Sequence, residues 1–98
     1  MKKIALRFTY YTDLIMVPDS VFENIHEIRS KFDKWLYDKS NDHGYWVYVE
    51  GKKRAVSFDT TAFVRYLNDV YLPDSKESAS VLQERVEWIS ADVPMLFF

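Results

Sequence analysis

From Lys3 to Tyr10 the chain alternates, with Ile4, Leu6, Phe8 and Tyr10 on one side and Lys3, Ala5, Arg7 and Thr9 on the other. A period of two predicts a strand with one face in a core. The next run, TDLIMV, fits either more strand or a short turn of helix. Pro18-Asp19-Ser20 then interrupts the pattern. Ser20 and Glu23 have the spacing of a capping box, whose hydroxyl and carboxylate satisfy free N–H groups at a helix start. Val21, Ile25, Ile28, Phe32, Trp35 and Leu36 follow at helical spacing, a stripe wide enough to face a sheet, with Trp35 read as a core residue. Glu27 and Lys31 stand four apart on the outer side in the favourable order.

YWVYVE and KRAVSFD flank Gly51 and predict a hairpin. If Gly51 and Lys52 form the turn, Tyr45 lies opposite Phe58, Val47 opposite Val56 and Glu50 opposite Lys53, all sensible cross-strand pairs. Trp46 and Tyr48 then project from the other face, beside Ser57 and Ala55. A bulged three-residue turn would instead pair Trp46 with Phe58 and bury it. Asp59-Thr60-Thr61 offers caps for a second helix, with a stripe of Phe63, Val64, Leu67, Val70 and Tyr71, ended by Pro73. Ser75–Glu87 is ambiguous. Ser80 and Gln83 repeat the capping-box spacing and Leu82, Val86 and Ile89 suit a helix, whereas Val86 and Trp88 could start a strand. DVPMLFF closes the chain, and Pro94 confines it to an edge or to the first strand position. The predicted order is β-α-β-β-α-(α)-β, a single α+β domain over residues 1–98 with helices on one face of an antiparallel or mixed sheet.

Composition narrows the chemistry. No cysteine is present, which removes disulfides, thiolate metal sites and a cysteine nucleophile. Arg7 and Asp13 break the apolar run near the start, and no small-residue cleavage site follows, so no signal peptide is expected. No stretch approaches the roughly 20 apolar residues of a membrane span, and the expected location is the cytoplasm. Net charge is −2, which argues against nucleic acid. It is unevenly spread, because Asp69–Phe98 holds six acidic residues against Lys76 and Arg85.

NDHGYWVY, residues 41–48, is the stretch that most suggests a chemical site. A calcium loop started at Asp38 would place His43 where glycine is needed and Val49 where the bidentate glutamate belongs, so the loop is read as polar turn. His26 and His43 are the only imidazoles and lack metal-ligand spacing. Neither a phosphate loop nor a nucleophile elbow is present. No catalytic residue, metal ligand or cofactor-binding residue is therefore assigned. Lys52, Lys53 and Arg54 form a basic cluster beside aromatic residues, a pairing that can hold single-stranded nucleic acid but equally makes a solubilising hairpin tip. Exposed Trp and Tyr are enriched at binding hot spots, which makes Trp46, Tyr48, Lys53 and Glu50 the candidate partner surface. The competing reading is that a later segment covers the two rings.

With YWVYVEGKKRAVSFDTTAFVRYLN in its middle and DVPMLFF at its end, the chain resembles small bacterial single-domain proteins of the immunity, antitoxin and phage-inhibitor type. The resemblance transfers no functional residue. It implies a non-enzymatic protein–protein interaction domain whose partner is a toxin or a defence protein. The alternatives are a small-ligand or nucleotide-binding domain with a pocket between sheet and helices, and third a minor enzyme.

Overall fold

The computed structural model describes all 98 residues, Met1–Phe98. Strands β1 (Lys2–Arg7) and β2 (Thr12–Val17) form an antiparallel pair in which Ile4 meets Ile15 and Leu6 meets Asp13. TDLIMV is thus strand, and the alternation that began at Lys3 stops at Arg7. Tyr10, expected on the core face, is 93% exposed at the turn, which closes through a bond from Phe8 N–H to Tyr11 O of 2.8 Å.

The first helical segment is broken in two, α1 (Asp19–Glu23) and α2 (Ile25–Tyr37). The Ser20 capping box does not form. The Pro18 carbonyl accepts from Val21 and Phe22, so the helix begins before Ser20, and the Asn24 side chain donates to Ser20 O at the break. The stripe survives the break: Val21, Ile25, Ile28, Phe32 and Leu36 are buried. Trp35 sits at its edge, half-buried against Phe32 and Tyr66.

Helix α3 (Thr60–Tyr66) starts at Asp59, whose carboxylate accepts from Ala62 N–H at 3.3 Å. It widens into a π-helical turn over Leu67–Tyr71. That turn places Asn68 against the chain at Ala79: its amide accepts from Ala79 N–H at 2.8 Å and donates to Ala79 O at 3.0 Å. The side chain thereby stands in for a strand partner. The next residues form β5 (Ser80–Gln83), antiparallel to β2, and not a third helix. Pairing with β2 overrides the local helix signal, a tertiary override typical of short segments. The terminal strand β6 (Met95–Phe97) begins just after Pro94, lies at the sheet edge and runs parallel to β1.

The result is α+β: a mixed four-stranded sheet of order β5-β2-β1-β6 with the helices on one face. The core joins Ile4, Leu6, Ile15, Val17 and Leu96 of the sheet to Val21, Ile28, Phe32, Leu36, Phe63 and Leu67 of the helical layer.

The remaining strands, β3 (Trp46–Val49) and β4 (Lys52–Val56), pair only with each other. Their register differs from both sequence alternatives. Val49 pairs with Lys52, so the two-residue turn is Glu50-Gly51, and both residues have positive φ (54° and 76°). This is the backbone of a type I′ turn, whose twist matches the flanking strands. Arg54 is then bulged out, so that Tyr48 meets Lys53, Val47 meets Ala55 and Trp46 meets Val56. Glutamate is a poor resident of the left-handed region, where the Cβ meets the carbonyl. Glu50→Asn is expected to raise stability by about 0.5–1 kcal/mol, read from urea unfolding midpoints at unchanged slope; an unchanged or lower midpoint would argue against this turn.

Candidate interaction site

The hairpin is an arm joined to the body at its base. Tyr45, Val56 and Phe58 pack on the core, while Val47, Tyr48 and Val49 further out are exposed. A slip of one position moves the side chains of a strand to the other face, and the pairing has slipped by one at the base of the arm, where Trp46 meets Val56 and Val47 meets Ala55, and by two at its tip. Val47, Val49, Ala55 and Lys52 share one open face, where Val47 had been expected inside.

Each candidate residue can now be placed. Trp46 is half-buried. Its indole N–H donates to Asn41 O at 2.7 Å, and its ring stacks on His43 with centroids 5.2 Å apart. It braces the arm and does not project from it. Tyr48 is 57% exposed. Glu50 is exposed at the turn. Lys53 is half-buried: its ammonium donates to Lys39 O and Asp42 Oδ1, both at 2.6 Å, and lies 5.4 Å from the Trp46 ring centroid. Of the four, Tyr48 and Glu50 face outward, while Trp46 and Lys53 belong to the hinge between arm and body.

His43 lies at the centre of that hinge and is buried. Its Nδ1 accepts from Tyr45 N–H at 3.1 Å, which leaves Nε2 to carry the proton and donate to Leu36 O at 2.8 Å. Arg65 donates to His43 O at 2.7 Å. The loop therefore ties the last turn of α2, helix α3 and the arm together. Asp38 makes the turn expected of it, accepting from both the N–H and the hydroxyl of Ser40. No group of three His, Asp or Glu side chains converges as a metal site would require.

The Lys53 ammonium, by hydrogen bond and by charge, holds the Asp42 carboxyl below the usual carboxylate range. A depressed folded value means that the contact contributes above the ordinary carboxylate pKa of about 3.9 and is lost as pH falls through the folded value. Carboxyl-carbon NMR should show Asp42 titrating below that ordinary range, with the midpoint moving up in Lys53→Met. Equal midpoints would refute the contact.

Beside the arm base lies an open cleft of about 360 Å³, lined mainly by Phe8, Tyr10, Tyr11, Val56, Phe58 and Phe98. Tyr11, Phe8 and Phe98 form a three-ring stack at 4.8 and 4.9 Å, with Arg85 over Tyr11 and Arg29 over Phe98. Burial, reinforced by Asp59 and Asp13, pushes the Tyr11 phenol above its ordinary range. Few polar groups converge on the cleft: Thr9, Ser57 and the tyrosine hydroxyls are its only polar side-chain groups.

Two further features escaped the sequence patterns. Trp88, in the stretch that links β5 at one sheet edge to β6 at the other, is 80% exposed, with Glu84 and Glu87 beside it in sequence. Asp13, on the core face of β2, is 2% exposed and accepts from Thr60 Oγ1 (2.5 Å), Arg85 N–H (2.8 Å) and Arg85 Nη1 (3.2 Å). Its position in step with Ile15 and Val17 was the available signal, because a carboxylate on a core face is buried only with partners. No helix is long and apolar enough to cross a membrane. The chain matches no family model, no curated protein and no solved structure.

Proposed function

We propose that this chain is a non-enzymatic protein–protein interaction domain that covers a partner with the open face of its β3–β4 arm. The specific form proposed is an immunity protein, antitoxin or phage-encoded inhibitor, acting in the cytoplasm on a toxin or defence protein. The observation that carries the reading is the arm itself: Val47 and Val49 are exposed on its open face and Tyr48 on the opposite one, on a ribbon whose two outer edges pair with nothing. Exposed apolar area of this kind on a small domain marks contact with another molecule, and free strand edges offer main-chain hydrogen bonds to an incoming strand. Braced by Trp46, His43 and Lys53, the arm is held in position before binding, which lowers the ordering cost of association.

The cleft favours a second reading, a pocket for a small apolar or aromatic ligand, since its volume lies in the usual range for ligand sites. It supplies little to orient a polar ligand such as a nucleotide. One comparison separates the two readings. Tagged parent protein and the double variant Tyr48→Ala/Val49→Lys are used for capture from extracts of the source cell, with quantitative mass spectrometry. A protein enriched by the parent and depleted about tenfold or more with the variant, the scale of a hot-spot loss, supports the arm. Identical captured sets from both would sink the arm as the binding surface.

A further inference from the structure

We infer that, without its partner, the chain associates with a second copy of itself, the basic arm of one protomer docking on the acidic Trp88 loop of the other. The inference rests on the reading of the arm as a binding surface and names a ligand for it. Residues 46–56 carry Lys52, Lys53 and Arg54 against Glu50, on a chain whose net charge is −2. Lys53 is taken up by Asp42. Lys52 and Arg54 are exposed and belong to no ion pair, and they flank the apolar face of Val47 and Val49. The loop after β5 is the complement. Glu84 and Glu87 are exposed and equally unpaired, and between them and β6 stands Trp88 with most of its ring in solvent.

Each copy thus offers one basic and one acidic surface, both with exposed apolar area and with charges left unmatched within the chain. Two such copies related by a twofold axis make the contact twice and close on themselves. The indole gives the aliphatic stems of Lys52 and Arg54 a surface to lie on and their charges an aromatic face. A nucleic acid would also meet the basic tip, but the acidic remainder of the chain repels a long polyanion. The association is weak and salt-sensitive, because exposed ion pairs contribute little each and are screened. Partner and second copy compete for the same arm.

Sedimentation equilibrium of the full chain tests this, at about 50 mM and about 500 mM salt, conditions that differ severalfold in screening. At low salt the mean mass should rise with concentration from 11.7 kDa towards twice that value, and the rise should fade at high salt. Lys52→Glu/Arg54→Glu and Glu84→Lys/Glu87→Lys should each weaken dimerisation by about tenfold or more, and the fourfold variant should recover most of it, as reciprocal charge swaps do. A parent chain that stays monomeric to about 1 mM at low salt, a dimer indifferent to salt, or a fourfold variant no better than its halves would overturn the inference. A monomeric parent leaves the partner reading intact; that reading falls if the arm variant keeps every partner of the parent.

Discussion

Phe32→Ala is expected to cost about 3–5 kcal/mol, the largest loss of any single truncation in this domain. Phe32 is fully buried, and five rings surround it: Phe63 at 5.1 Å, Tyr66 at 5.3 Å, Phe58 at 5.6 Å, and Trp35 and Phe98 at 6.0 Å. Those neighbours come from α2, α3, the end of the arm and the C-terminal strand. One side chain therefore fills the space where the layers meet, and no neighbour can collapse into the cavity without leaving another contact. A typical domain has only about 5–15 kcal/mol of stability in total, so the variant should sit near its unfolding midpoint in mild urea. Trp35→Ala, at the half-buried edge of the same stripe, should cost clearly less. Equal losses at the two positions would show that the helix is rotated from the phase described.

Asp13→Ala is expected to cost about 2–3 kcal/mol, by leaving the Thr60 hydroxyl and the Arg85 N–H without their acceptor. The carboxylate joins three separate pieces of chain: the sheet through β2, the first residue of α3 through Thr60, and the segment after β5 through Arg85. Arg85 adopts a positive φ of 54° at this junction, so its backbone is held there against local preference. The Arg85 guanidinium is 63% exposed, which keeps the cost below that of breaking a fully buried pair. Asp13→Asn retains part of the acceptor set and should lose about half as much. A loss within about 0.5 kcal/mol, the range of ordinary surface substitutions, would mean that Asp13 is not the junction described.

The sequence was most legible where one physical signal dominated. The stripe from Val21 to Leu36 needed only helical periodicity, and Asp59 as helix start needed only its capping carboxylate. Pro94, which lacks the N–H that a central strand must donate, confined the last strand to an edge or to its own first position, and the strand begins just after it at the sheet edge. Legibility failed where two weak signals competed. Ser80–Gln83 had helix-start spacing, and only its pairing with β2 and the Asn68 clamp, both distant in sequence, make it strand. At the arm, Gly51 was recognised as a turn residue, but glycine serves either turn position. Putting it second instead of first, with a bulge at Arg54, exchanged the faces of the ribbon. That single ambiguity put Trp46 outside and Val47 inside in the sequence reading, and the structure has them the other way round. Of the four residues the sequence reading grouped on the arm, Tyr48 and Glu50 are exposed and Trp46 and Lys53 are half-buried.

The proposed contact between this chain and a partner is the open face of the arm. A photo-crosslinking residue placed at Val49 and, separately, at His26 on the exposed side of α2 reports contact in the living source cell. The predicted result is a discrete adduct of the chain with one other protein from position 49 and none from position 26. An adduct of twice the chain mass from position 49 alone would be the second copy, and the two products should trade intensity as the partner is depleted. No adduct from position 49, or the same products from both positions, would contradict the account.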